Sequence, residues 1–202
     1  MNLELEGKRG GAVDAADHAA LTRFVTGAGG QLGGIDVLVY APTAAMGAGN
    51  DPASREQGVA VDLVGAVRAC EAAIPMLQES PAGAIVMIGT ASIVEAVGIR
   101  RAYNSVKAGL VPYVKFLARE LAPAVRANIV SPGMVYFEGG VWDAVRQAPD
   151  RYTQALARNP MGRMATPDEI ANAVAFLASP RASFISGAHL LCDGARTEGV
   201  HY

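Results

Sequence analysis

The chain has 202 residues, 51% of them apolar, and a formal net charge of −2. That suits one domain with a sizeable core. The near-balanced charge excludes the basic surface that nucleic acid requires. Two distant cysteines, Cys70 and Cys192, read as buried thiols, so neither a disulfide nor a metal site is expected. The opening Met-Asn-Leu-Glu-Leu-Glu-Gly-Lys-Arg has acidic residues where a signal peptide would be apolar. No apolar run is long enough to cross a bilayer. The expectation is a cytoplasmic chain without a membrane partner.

In chain order, residues 15–32 carry apolar side chains at spacings of three and four and predict a helix. Residues 35–40 predict a short buried strand. Residues 43–53, rich in Gly, Ala, Asn and Pro, predict a loop. A long helix is expected from about Ser54, as N-cap, to Gln78. Residues 84–89 predict a second strand. A further helix covers 101–121 and is interrupted by Pro112. Residues 126–130 predict a third strand, stopped by Ser131-Pro132-Gly133. Helical periodicity recurs over 138–158. Thr166-Pro167-Asp168-Glu169 predicts a helix start in which Thr caps, Pro takes the first position and Glu169 closes a capping box. That helix runs to about Ala178. Residues 188–192 predict a last strand, ended by Asp193-Gly194. Strands alternating with long helices indicate an α/β fold, a doubly wound parallel sheet in one domain over residues 1–202.

The chemistry centres on Tyr103-Asn104-Ser105-Val106-Lys107. Tyr and Lys four apart share a helix face. A free phenol ionises near ~10 and is a poor acid or base at neutral pH. A neighbouring ammonium lowers that value, so Lys107 is expected to make Tyr103 acidic enough to exchange a proton with a carbonyl or alcohol oxygen. The competing reading is a chance pair on one helix face.

The surrounding motifs decide between the two. They are Ile88-Gly89-Thr90-Ala91-Ser92, Val125-Arg-Ala-Asn-Ile-Val-Ser-Pro-Gly133, Gly162-Arg-Met-Ala-Thr-Pro-Asp-Glu-Ile-Ala171, and Phe184-Ile-Ser-Gly-Ala-His-Leu-Leu-Cys-Asp-Gly194. In this order they resemble the short-chain dehydrogenase/reductase family, from about Ala12 to Ala195. The resemblance implies a Rossmann-like fold, NAD or NADP as cofactor, and a small carbonyl or alcohol substrate. It also implies assembly as a homodimer or homotetramer through helices around 55–79 and 101–122.

By the same resemblance Tyr103 exchanges the proton, and Lys107 holds the nicotinamide ribose and tunes Tyr103. A hydroxyl at the preceding strand end orients the substrate oxygen. Thr90 holds the family's serine position, and Ser92, two residues on and facing the same way, is the rival. The family's relay Asn falls on Asp62, which accepts but does not donate when ionised. Either the relay is altered or Asp62 is merely a helix residue. Pro132, Gly133 and Val135 match the turn lining the nicotinamide. Asp14 and Ala15 match the adenine contact, and Ala41 lies in the strand-end segment beside the cofactor. In that segment Pro42 removes a donor and Tyr40 adds bulk near the cofactor. Residues 136–163 match the substrate lid, where Phe137 and Trp142 either floor a pocket or anchor the lid.

One part of the family pattern is not legible. Its Thr-Gly-x-x-x-Gly-x-Gly turn and helix N-terminus, which receive the pyrophosphate, have no counterpart. Two strand-helix units are expected to be missing between Arg9 and Gly10, which truncates the fold in its N-terminal cofactor-binding half. The choice of NAD or NADP would lie there. Thr26-Gly-Ala-Gly-Gly-Gln-Leu-Gly-Gly34 nearly spells the fingerprint, but helical sequence precedes it and a strand follows, so it reads as a helix end. Three expectations follow: an active oxidoreductase, an inactive member retained as a binding or oligomerisation module, or a deletion product of an ordinary enzyme. The strand at 35–40 would be left with a bare flank. Either residues 3–6 or 11–14 pair with it, or the chain is poorly soluble.

Overall fold

The computed structural model describes residues 10–44, 51–95 and 102–199. Four parallel strands, β1 (Val37–Tyr40), β2 (Ala84–Ile88), β3 (Arg126–Pro132) and β4 (His189–Cys192), form one sheet in the order β1-β2-β3-β4. Every connection carries helix, which parallel strands require. The helices are α1 (His18–Leu32), α2 (Pro52–Gly58), α3 (Ala66–Glu79), α4 (Ala102–Ala108), α5 (Leu110–Glu120), α6 (Val141–Arg146), α7 (Pro149–Ala157) and α8 (Pro167–Ala178).

Side-chain alternation along the strands divides the core in two. Tyr40, Ile85, Met87, Ala127 and Ile129 face α3 and α5, with Leu21 and Val25 of α1 in the same cluster. Val86 and Val130 face the other way, against Leu177 of α8. α8 covers β2 and β3 but leaves Val37 and Val39 of β1 40% and 44% exposed. Among the described residues β1 is therefore an edge strand, bare on its outer flank. Residues 11–14 form no strand, so they do not pair there; Gly11 instead lies beside the Phe24 ring of α1. Residues 3–6 lie outside the described residues, as do 45–50 of the expected loop.

Several boundaries differ from the sequence expectation for local reasons. Asp51, not Ser54, caps α2. Its carboxylate accepts from the Ser54 backbone N–H at 3.0 Å, and Pro52 occupies the first turn, where a missing N–H costs nothing. The break in the 101–121 helix falls at Gly109 rather than at Pro112. Pro112 sits in the first turn of α5, where backbone donors have no intrahelical partner anyway. β3 runs on through Ser131 and Pro132, because β2 has ended and only β4 pairs with it there. The Gly-rich 26–34 segment is the end of α1. Gly33 closes it in the left-handed conformation (φ 80°), which glycine adopts without strain. α8 begins as expected, with Thr166 and Glu169 closing a capping box.

Between α2 and α3 the helix widens into a π-helical segment, Val59–Gly65, a feature the sequence did not announce. Wide turns misalign backbone carbonyls, and here two are met by side chains from elsewhere. Tyr40 Oη donates to Val61 O at 2.6 Å, and His18 Nε2 bonds Ala60 O at 3.0 Å. Tyr40 is thus buried in the core beneath this segment and does not add bulk on the cofactor side, which corrects the expectation.

Candidate active site

The site lies at the carboxyl edge of the sheet, where ligands of open parallel sheets bind. Strand ends and the π segment supply its side chains. β2 runs out at Ile88 into Gly89, where a side chain would collide with Ser131 and Ile129, so the chain passes close to β3. Thr90 follows, in extended conformation, and a short 3-10 turn (Ala91–Ile93) begins. Thr90 Oγ1 lies 2.9 Å from Ser92 Oγ, and Ser92 Oγ donates to Asn104 Oδ1 at 3.2 Å. Tyr103 on α4 lies near Thr90 and near Thr43, the latter from the segment after β1, and both hydroxyls favour its ionised form. Thr90 and Ser92 are therefore not rivals for one place. They form a hydroxyl chain, and Thr90 is the member that meets the phenol. Thr43 is a contributor that the sequence reading passed over. The signal was its position three residues beyond a strand end, on the same sheet edge as Thr90.

Lys107 and Asp62 form a second group. Both are essentially fully buried. Lys107 Nζ donates to Ile88 O at 3.0 Å and lies 2.9 Å from Asp62 Oδ1. The Nζ–Oδ1 approach is close but off the hydrogen-bonding direction, so it is a charge contact first. Asp62 Oδ2 accepts from the Ala44 backbone N–H at 3.1 Å. Asp62 is thus part of the site cluster and not a surface helix residue.

This arrangement corrects the expected electrostatics. The Tyr103 hydroxyl is pushed above its ordinary range rather than below it. Burial is the main cause, the negative charge of Asp62 adds to it, and hydrogen bonds from Thr90 and Thr43 only partly oppose it. Lys107 lies against the Asp62 carboxylate, a partner that the spacing did not predict.

The remaining candidates lie along the same edge at varying distance. Ala41 follows β1 and is exposed. Pro132 ends β3 at the level of Thr90, since Val130 is level with Ile88. Gly133 packs so tightly on the Asp193 backbone that a Cβ would clash, and Val135 bridges to Ala165. Asp14 accepts from Ala16 N–H at 2.9 Å in a turn before α1. The Ala15 carbonyl lies against Gly65, at the end of the π segment. Among the described residues, no hydrogen bond or ion pair joins Asp14, Ala15, Ala41 or the Pro132–Val135 segment to Tyr103. In the 136–163 segment, Phe137 covers Gly140 and Arg146 stacks over the Tyr136 ring at 4.2 Å, so these aromatics hold the segment together.

A dinucleotide would need both a reactive end and a cradle for its phosphates. The hydroxyls at the β2 end fit the former. The described residues do not fit the latter. No described strand leads through a Gly-rich turn into a helix before β1, and the N-terminus of α1 is filled by the Asp17 carboxylate, which accepts from Ala20 N–H. Among the described residues no group of three or more His, Cys, Asp or Glu could hold a metal ion, and no helix is long and apolar enough to cross a membrane.

Comparison with known proteins narrows the chemistry. The profile of a family described as enoyl-(acyl carrier protein) reductase matches residues 4–197. Isoepoxydon dehydrogenase of Penicillium expansum is 34% identical over 95% of this chain and 73% of its own length. A 31% identical protein of Xanthobacter autotrophicus, matched over 93% of this chain and 84% of its own, is named inactive 2-(S)-hydroxypropyl-CoM dehydrogenase 2. Among solved structures, the ligand-free aldohexose dehydrogenase of Thermoplasma acidophilum superposes with a TM-score of 0.81. That match is 27% identical and covers 94% of this chain and 80% of the other.

Proposed function

The chain is a member of the short-chain dehydrogenase/reductase family, and we propose that it is an oxidoreductase interconverting a ketone and a secondary alcohol with NAD or NADP. The observation that carries this reading is Tyr103 beside the Thr90–Ser92 hydroxyl pair at the carboxyl edge of the parallel sheet. The cofactor, when bound, supplies or takes the hydride. The chain's own residues handle the proton. Tyr103 O–H gives its proton to the substrate oxygen as negative charge builds there, and Thr90, backed by Ser92, orients that oxygen. Asn104 completes the chain of hydroxyls by accepting from Ser92.

We also propose that the family's first two strand-helix units, expected between Arg9 and Gly10, do not occur in this chain. The flank of β1, bare among the described residues, supports this, as does a match that uses 95% of this chain but only 73% of a relative. The unit most directly concerned is the phosphate cradle. Each charge-assisted hydrogen bond lost there weakens binding by about 1.5–3 kcal/mol. A second reading follows from the same observation: a family member without turnover, kept as a binding or assembly module in two or four copies. Phe116, 70% exposed on α5, is available to such an assembly.

Titration of the 202-residue chain with NADH and with NADPH separates the two. Micromolar binding of either, with turnover that Tyr103→Phe abolishes, supports the enzyme. Absence of binding up to millimolar cofactor supports the module. Turnover that survives Tyr103→Phe removes the proposed proton step.

A further inference from the structure

The chain leaves β4 at Cys192 and turns back across the carboxyl edge of the sheet. The Asp193 backbone passes tight against Gly133 at the end of β3. Gly194 and Ala195 then adopt the left-handed conformation (φ 69° and 62°), which a residue with a Cβ, such as Ala195, rarely takes. The buried Asp193 carboxylate shapes this turn, accepting from the Ala195 N–H at 3.1 Å and the Thr197 N–H at 2.8 Å. Those bonds span two and four residues, so they tie the segment to itself. Glu95 ties it to a distant part of the molecule. Its Oε1 accepts from the Glu198 N–H at 3.3 Å, across 103 residues of sequence, and its Oε2 lies 3.6 Å from Arg196. From the end of β4, past the end of β3, the segment thus reaches the turn that follows β2.

Glu95 stands two residues beyond the 3-10 turn Ala91–Ile93, which carries Ser92. One 3-10 turn has poor hydrogen-bond geometry and little stability of its own. Here it is closed by Ile93 N–H to Thr90 O at 3.3 Å and Val94 N–H to Ala91 O at 3.2 Å. We propose that Glu95 is a positioning residue: it fastens the segment Ala195–Glu198 over the carboxyl edge and, by that fastening, holds the turn that sets Ser92 against Thr90. The use made of Ser92 rests on the oxidoreductase reading. The fastening itself does not.

The other ion pairs show why this one is suited to the task. Arg68–Glu71 and Arg163–Glu169 join residues three and six apart and are about half exposed, so they fasten little. The Glu95 and Arg196 side chains are only 10% and 15% exposed and come from opposite ends of the fold. A carboxylate buried to that degree needs its partners. Among the described residues Glu95 Oε2 has no hydrogen-bond donor, so Arg196 meets it as a charge alone. Both of the groups that satisfy Glu95, this charge and the Glu198 N–H, come from the one segment. Removing the carboxylate frees that segment from the turn, and Arg196 can carry its charge back into water.

The test is amide hydrogen exchange of the full chain, followed residue by residue by NMR. In Glu95→Ala the amides of Glu198, Ile93 and Val94 are expected to exchange about tenfold faster or more, while Val86 in β2 keeps its rate within about threefold. An unchanged Glu198 overturns the fastening. A faster Glu198 with unchanged Ile93 and Val94 overturns the positioning role, and so does an equal acceleration of Val86, which marks a general loss of stability. Should Glu95→Ala not fold, Glu95→Gln keeps the shape and loses the charge. There the same three amides are expected to speed up about threefold or more, and unchanged rates overturn the proposal. In a chain that turns over, Glu95→Ala should lower kcat about tenfold or more and leave the Kd for NADH within about twofold, because the turn acts on the substrate oxygen and not on the cofactor. An unchanged kcat overturns the positioning role. A chain that binds no NADH and turns nothing over overturns the oxidoreductase reading alone, and exchange still decides the fastening.

Discussion

The two faces of the sheet are unequally furnished. On one, α1, α3 and α5 bury Tyr40, Ile85, Met87, Ala127 and Ile129 in a continuous cluster. On the other, α8 reaches β2 and β3 but stops short of β1, so Val37 and Val39 keep two fifths of their surface in solvent. Tyr103, Lys107 and Asp62 come from helices on the well-covered side. Among the described residues, the outer flank of β1 is bare. The difference teaches that the cluster of Tyr103, Lys107 and Asp62 is packed by the covered face alone.

The largest expected break on the covered side is at the buried ion pair. Asp62→Ala leaves the Lys107 ammonium buried with only a carbonyl for company, and should lower unfolding stability by about 3–5 kcal/mol in denaturant melts. A loss under about 1 kcal/mol would mean that water reaches the pair. Next comes the core of the same face. Leu77 is fully buried in the cluster on α3, and Leu77→Ala should cost about 2–5 kcal/mol by the same melts. On the bare side the matching truncation, Val39→Ala, should stay within about 0.5 kcal/mol, because the side chain already faces solvent. A large loss at Val39 would show that something covers that face in solution. The smallest effect lies at the start of α8. The fork of hydrogen bonds from Arg163 holds the exposed Glu169 carboxyl down at about 2. Its folded value is below its unfolded one, so its contribution is complete above the unfolded value, near ~4.3, and fades as pH falls toward 2. Glu169→Gln should remove that part of the acid limb of the stability-pH curve and leave the neutral region's pH slope unchanged.

The architecture was legible in the sequence because it is written locally. Thr166-Pro167-Asp168-Glu169 produced the capping box at the start of α8, and Gly33 ended α1 where the near-fingerprint invited a phosphate loop. The misplaced boundaries at Ser54 and Pro112 are also local, each a matter of which residue fills the first helical turn. What the sequence withheld is the identity of partners. The spacing of Tyr103 and Lys107 fixes that they share a helix face, and nothing in it says that a carboxylate forty-five residues earlier takes the lysine. Thr43 was missed for the same reason, since its contact with Tyr103 exists only once β1 and β2 lie side by side. Tyr40 was expected to add bulk near the cofactor, and the single alternation that sends it inward also sends Val39 out.

A π turn accommodates one residue more than the α turn it replaces. The segment Val59–Gly65 therefore uncouples the rotational phase of the helix before it from that of α3 after it. The buried stripe Ala66, Ala69, Cys70, Ala73 and Leu77 can follow the geometry of the sheet, while the preceding coil is turned to aim a carboxylate inward. Shortening this stretch by a single residue would rejoin the two phases. The stripe and the carboxylate would then compete for one orientation, and only one of them could keep its place.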